Sequence, residues 1–230
     1  AGLMTECVLG LWDIGAIRLD LSEGGGTAMK IHRLGNTTPP SPIYFNLRTP
    51  ENPKPGPLTP SMVAQIARIQ LLYLKTQGVT FDTIACIPNA AEPFGRVVQT
   101  MISAGEKRHA DLLPFQKQGE HIVLAGDLGR LPGRRRALLL DDVITGGDSK
   151  IGVVSLLREA ELVVSACCVF IDREQGGRER LGNVGVNLYA PITLKAAVQI
   201  LHFYRRIDAS QREVILGYHK AFRKTLEIAA

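Results

Sequence analysis

Ala137-Leu138-Leu139-Leu140-Asp141-Asp142-Val143-Ile144-Thr145-Gly146-Gly147-Asp148-Ser149 sets an apolar run against two adjacent carboxylates and a turn of small residues. Helical periodicity resumes from about Lys150. A continuous apolar run of this length reads as a strand buried on both faces, the kind found in parallel sheets covered by helices. In open parallel sheets ligands collect at the carboxyl ends of the strands. Glycines there let the backbone curl around an anion, and the following helix offers unpaired N–H groups and the positive end of its dipole. The hydroxyls of Thr145 and Ser149 add donors. Asp141 and Asp142 stand one turn earlier, where carboxylates can accept hydrogen bonds from vicinal sugar hydroxyls or face a hydrated Mg²⁺. Phosphate, sugar and metal thus fall on one segment. An ordinary strand-to-helix turn capped by Asp148 would leave the paired acids without a packing reason. Neither a P-loop pattern nor a Gly-x-Gly-x-x-Gly turn occurs.

Outward from this segment the chain alternates strand and helix. Strands are expected at Thr83–Ile87, Leu112–Gln116, Ala137–Asp142, Val163–Ile171 and Val184–Ala190, which makes the fold class α/β, a five-stranded parallel sheet with flanking helices. Thr59-Pro60 supplies an N-cap and first turn, and Val63, Ile66, Ala67, Ile69 and Leu74 follow on one helical face that Gly78 ends. Five prolines between residues 49 and 60 interrupt both helix and sheet and mark a boundary. Before them, Thr5–Gly15 reads as a helix, and Ile17, Leu19 and Leu21 alternate as a strand that Gly24-Gly25-Gly26 turns back toward Met29 and Ile31. After the sheet, Ser210-Gln211-Arg212-Glu213 fits a capping box for a last helix. The expected organisation is an N-terminal hood (1–58), a core domain (59–207) and a C-terminal helix (208–230) packed on the hood.

A net charge of +5 favours anionic partners, and no nucleic-acid-binding module is visible. No stretch approaches the roughly eighteen apolar residues of a membrane span, so a cytoplasmic protein with no membrane partner is expected. Cys7, Cys86, Cys167 and Cys168 have neither metal-ligand nor disulfide spacing and read as buried thiols, the last two on opposite faces of a strand. The histidines lack metal-ligand spacing as well.

The segment Leu138–Ser149 resembles the phosphoribosyl pyrophosphate signature of type I phosphoribosyltransferases, and further segments narrow the likeness to orotate phosphoribosyltransferases. Ser41-Pro42-Ile43-Tyr44-Phe45-Asn46-Leu47-Arg48 is similar to that family's base-binding segment, Ile87-Pro88 to its pyrophosphate loop, Phe115-Gln116-Lys117 to the strand entering its catalytic loop, and Ile171-Asp172-Arg173-Glu174-Gln175-Gly176-Gly177 to its Asp-Arg-x-x-Gly segment. The resemblance implies a homodimeric enzyme of pyrimidine synthesis that uses phosphoribosyl pyrophosphate and Mg²⁺ to convert orotate to orotidine 5′-phosphate and pyrophosphate. By position it places Asp141 and Asp142 at the ribose hydroxyls, with Mg²⁺ held through substrate and water. Thr145, Gly146, Gly147, Asp148 and Ser149 fall at the 5′-phosphate, Lys117 and Pro88 at the pyrophosphate, Arg173 at the base carboxylate, and Tyr44 with Phe45 beside the base. The family's hairpin lysine falls at Lys30, His32 or Arg33.

The chain departs from the family pattern at several positions. The family's Arg-Lys pair and the lysine three residues further correspond to Gln116, Lys117 and Glu120. A carboxylate near a departing pyrophosphate raises the barrier by repulsion. Ile122-Val123-Leu124 is apolar for a mobile lid and is expected to dock on the body. Asp148 stands where the family has a neutral residue, which is unfavourable beside a dianion unless its side chain swings outward to cap the helix. A second reading is therefore a non-catalytic, regulatory phosphoribosyl pyrophosphate-binding protein, and a third is an enzyme acting on another base.

Overall fold

The apolar run at 137–140 lies inside a nine-residue strand, Arg136–Ile144, that has parallel neighbours on both edges. The computed structural model describes residues 2–21, 41–105, 109–118, 121–124 and 135–228. In chain order the elements are α1 (Gly2–Asp13), β1 (Ile17–Leu19), β2 (Ile43–Phe45), α2 (Pro60–Thr76), β3 (Thr83–Cys86), α3 (Glu92–Gly105), β4 (Asp111–Leu113), β5 (Phe115–Gln118) and β6 (His121–Leu124). They continue with β7 (Arg136–Ile144), α4 (Asp148–Glu159), β8 (Val163–Asp172), α5 (Gly177–Asn183), β9 (Asn187–Tyr189), β10 (Ile192–Thr193), α6 (Leu194–Phe203) and α7 (Ala209–Ile228).

The main sheet runs β10-β8-β7-β3-β4, all parallel, and β9 also pairs with β8. β9 meets Ala166–Cys168 and β10 meets Ile171–Asp172, so the two pieces share one edge of β8 and fill the fifth strand position. The expected strand Val184–Ala190 is thereby corrected. Val184 caps α5, pairing begins at Asn187, and Pro191, which has no N–H, separates the two pieces. The expected strand Leu112–Gln116 is corrected for a similar reason. Pro114 ends β4, and β5 leaves the sheet to pair antiparallel with β6.

Alternation along the central strands sorts side chains onto two cores. Ile84, Cys86, Leu138, Leu140, Cys168 and Phe170 face one side, where they meet Leu11 of α1, Ile66 of α2, Phe94 of α3 and Val198 of α6. Ala85, Ile87, Leu139, Cys167 and Val169 face the other, against Val153, Val154 and Leu157 of α4 and Leu181 of α5. Leu138, Leu139 and Leu140 are all fully buried. Burial of such a side chain contributes about 1.5–3 kcal/mol, which is why the middle of β7 anchors both layers. Cys167 and Cys168 do lie on opposite faces, and burial pushes the Cys7 and Cys167 thiols up to about 12.

α2 starts as expected. The Thr59 hydroxyl accepts from Met62 N at 3.3 Å and Pro60 opens the helix. For α7 the capping box is two residues earlier than expected: Asp208 and Gln211 exchange side-chain-to-backbone bonds of 2.8 and 3.0 Å. β1 pairs antiparallel with β2, Ile17 opposite Phe45, and both residues are buried in the first core. The expected hairpin partner at Met29 and Ile31, together with Lys30, His32 and Arg33, lies outside the described residues. α7 sends Ile215 into the first core, brings His219 Nε2 within 3.2 Å of the Glu174 carbonyl, and pairs Arg223 with Glu179 at 3.0 Å.

Candidate active site

β7 ends in the turn Thr145–Gly147, from which α4 departs. Gly147 is the N-cap residue at φ 83°, a left-handed conformation that glycine adopts without steric cost, and no side chain caps the helix. A second glycine fixes the turn from below. A β-carbon at Gly177 would stand 2.4 Å from the Thr145 carbonyl oxygen, so α5 can begin against this turn only because residue 177 lacks one. Arg180, one turn into α5, donates to the Gly146 carbonyl at 2.9 Å and to Asp148 Oδ1 at 2.6 Å. Asp148 thus meets that condition in part: it is turned to Arg180 and does not cap α4. The Arg180 guanidinium binds it and holds its carboxyl below the usual range. Ser149 is exposed in the first turn of α4.

The two acids, treated alike in the sequence, differ in the structure. Asp141 is 3% exposed. Its Oδ2 pairs with Lys150 Nζ, its Oδ1 accepts from Asp142 N at 2.9 Å, and its carbonyl accepts from Gln70 Nε2 at 2.9 Å. Lys150 is also buried and donates to the Val143 carbonyl at 2.9 Å. Asp142 remains partly exposed, with Oδ1 accepting from Val143 N at 2.7 Å. Burial and then the adjacent Asp141 carboxylate push Asp142 up to about 8. Lys150 escaped the reading of the sequence, although a signal was present. Residues 150, 153, 154 and 157 are the inward face of α4, and the first of them is a lysine where the others are apolar.

Beyond the strand end of β8, Arg173 is 8% exposed and donates from Nη2 to Ser41 Oγ at 2.6 Å. Positions 132 residues apart are thereby joined, and they are the two segments that the sequence assigned to the base. Burial lowers the Arg173 pKa from the usual guanidinium value. Arg173 Nε and both amide atoms of Gln175 are buried with no partner among the described residues. Tyr44 is partly exposed, and its hydroxyl accepts from Arg48 Nη1 at 3.4 Å. Phe45 is corrected: it points the other way along β2, into the first core at 6% exposure, and does not border an open site. Asp172 is buried, accepts from Glu174 N at 2.7 Å, and pairs with Arg178 at 3.2 Å.

Pro88 lies in the turn between β3 and α3, and Asn52 Nδ2 ties the proline-rich segment to that turn through the Asn89 carbonyl at 2.8 Å. Of Lys117 the structure describes the backbone, which pairs with Ile122, while Glu120 lies outside the described residues. Ile122 and Leu124 pack against the second core, so this apolar ribbon is docked on the body.

No protein-family model matches the chain. Among solved structures it is similar to UMP synthase of Leishmania donovani, with TM-score 0.71, 21% identity, and coverage of 96% of this chain and 43% of that one. It is likewise similar to orotate phosphoribosyltransferase of Aeropyrum pernix, with TM-score 0.60, 18% identity, and coverage of 86% of this chain and 98% of that one. Together with the parallel sheet and its strand-end turn, these likenesses define a type I phosphoribosyltransferase fold. In sequence it is 36% identical to orotate phosphoribosyltransferase of Staphylothermus marinus over 179 residues, 77% of this chain and 81% of that protein. The chain belongs to the orotate phosphoribosyltransferase family. It is also 27% identical to bovine uridine 5′-monophosphate synthase over 92% of its length, and it spans 39% of that protein.

Proposed function

We propose that the chain transfers the phosphoribosyl group of phosphoribosyl pyrophosphate to a ring nitrogen of orotate, forming orotidine 5′-phosphate and pyrophosphate in pyrimidine nucleotide synthesis. The observation that carries this reading is the arrangement around the end of β7: a partly exposed Asp142, the Thr145–Gly147 turn opening α4, and buried Arg173 bonded to Ser41 beyond the neighbouring strand. The turn and the start of α4 bind the 5′-phosphate, Asp142 accepts from a ribose hydroxyl, and Arg173 faces the carboxylate of the base beside Tyr44. Lys117 faces the departing pyrophosphate. Positive charge grows on the sugar as pyrophosphate leaves, so catalysis rests on placing charge around the donor rather than on a protein nucleophile.

Among the described residues no group of three or more His, Cys, Asp or Glu side chains is arranged to hold a metal ion. Partly exposed Asp142 would face the water shell of Mg²⁺ that the donor's own oxygens carry, and the cation's charge would favour its ionised form. When bound, Mg²⁺ supplies charge neutralisation on the pyrophosphate. Among the described residues no helix is long and apolar enough to cross a membrane. The protein we propose works in the cytoplasm as a homodimer built of hood, core domain and C-terminal helix.

Glu120 at the family's lysine position favours a second reading, a protein that binds the donor and regulates without turnover. One experiment separates the two: pyrophosphate release is followed with donor, Mg²⁺ and a panel of bases, for the wild type and Glu120→Lys. Orotate-dependent release that rises about a hundredfold in the variant supports the enzyme, because a cation positioned where charge develops is worth a few kcal/mol. Tight donor binding with no release from either protein supports the regulator. Release with another base alone would replace orotate as acceptor.

A further inference from the structure

We propose that Lys150 is a positioning residue: it draws the Asp141 carboxylate out of the ligand opening and leaves Asp142 as the one acid of the pair that meets the sugar. This rests on the functional reading above and deepens it. Both oxygens of Asp141 are engaged inside the protein, one by Lys150 and one by Asp142 N, and a side chain 4% exposed presents neither to a ligand hydroxyl. Lys150 reaches β7 at two places, the Asp141 carboxylate and the Val143 carbonyl, and these residues bracket Asp142. The ammonium thus meets β7 on either side of the acid that stays partly exposed, while the pairing of β7 with both neighbouring strands sets its backbone and Gln70 Nε2 holds the Asp141 carbonyl from the opposite layer.

The electrostatic consequence concerns the donor itself. Phosphoribosyl pyrophosphate carries several negative charges, and two free carboxylates at one strand end would repel it and each other. Pairing one with a buried lysine halves that charge and keeps one acceptor in place. The same lysine is itself kept charged, since Asp141 raises its pKa against the opposing effect of burial. Nothing in the strand-and-turn pattern requires a cation here, because 153, 154 and 157 on the same face are apolar.

The test is calorimetric titration of phosphoribosyl pyrophosphate in Mg²⁺ into the wild type, Asp142→Asn, Lys150→Met and the double variant Lys150→Met/Asp141→Asn, each melted by circular dichroism. Asp142→Asn is expected to stay folded and to raise Kd at least about tenfold, the size typical of a lost hydrogen bond to a charged group. The double variant, which removes both buried charges together, is expected to fold and to keep Kd within about threefold of wild type. Lys150→Met alone is expected to raise Kd at least about tenfold in its folded fraction, because the freed carboxylate turns on the donor. A purely structural lysine would instead lower the binding stoichiometry and leave Kd unchanged, and that result overturns the proposal. So does a double variant that melts like wild type yet binds as weakly as Asp142→Asn, since Asp141 would then touch the sugar itself. Should Lys150→Met fail to fold, the double variant against Asp142→Asn decides. Absence of binding by the wild type would sink the functional reading and this inference with it, whereas the other adverse outcomes sink the inference alone.

Discussion

Two acid–base pairs flank the same turn, and they differ mainly in their access to water. Asp141 and Lys150 lie below it at 4% and 8% side-chain exposure, whereas Asp148 and Arg180 lie above it at 66% and 46%. The lower pair joins a carboxylate of β7 to a cation of α4, and the upper pair joins a carboxylate of α4 to a cation of α5. Below, neither charge can be left alone, because water cannot replace the missing partner. Above, water and salt screen both groups, so the contact sets where Asp148 points more than how stable the fold is. A pair of the same formal charge is thus a structural necessity in one place and a steering device in the other.

The largest expected effect breaks the lower pair. Lys150→Met should destabilise the protein by about 3–5 kcal/mol in urea unfolding, the cost of an uncompensated buried charge, while Lys150→Met/Asp141→Leu should recover most of that loss. A loss in Lys150→Met below about 1 kcal/mol, within the range of surface pairs, would mean that the two regions are alike after all.

The pH dependence should run in opposite directions on the two sides of the turn. Asp142, beside the lower pair, has its folded-state pKa raised to about 8 from 3.8, so the folded state favours its neutral form. Its contribution is full below the unfolded value and is lost as pH rises through about 8. Asp148 has its pKa lowered by Arg180, so its contribution is present above the unfolded value of 3.8 and is lost as pH falls through its folded value. Melting temperatures of the wild type and Asp142→Asn between pH 5 and 9 test the first statement: the variant should lack the alkaline decline. Asp148→Asn should flatten the small acid-side decline, and an unchanged acid limb would remove Arg180 as the cause.

A smaller effect is expected on ligand binding above the turn. Arg180→Ala leaves Asp148 unneutralised beside the phosphate position and should weaken binding of inorganic phosphate severalfold, by about 1 kcal/mol, with Arg180→Ala/Asp148→Ser restoring it. Equal affinities in all three proteins, measured by calorimetry at low salt, would place the phosphate elsewhere. The smallest effect is on stability. Arg180→Ala should shift unfolding by no more than about 0.5 kcal/mol, and less in 1 M salt. A loss as large as that of Lys150→Met would overturn the contrast from the other side.

The parallel α/β fold was legible in the sequence, because period and composition are local: the apolar run of β7, the Thr59-Pro60 start of α2 and the glycine turn into α4 each form for reasons found within a few residues. The sequence also placed Arg173 and Ser41 in segments of related purpose, and the structure joins them by a 2.6 Å hydrogen bond. It failed where a residue's state depends on partners far along the chain or on burial. Pro114 and Pro191 could have placed the strand breaks, yet an apolar run alone read through them. Nothing local separates Asp141 from Asp142, which are chemically identical, and Tyr44 and Phe45 are adjacent aromatics that differ by one hydroxyl. Packing separates them: α4 lies so that Lys150 reaches one carboxylate, and β2 turns so that one aromatic ring enters the core. Side-chain charge and shape are written in the sequence, but the dielectric around a group and the identity of its partner exist only once the layers have packed.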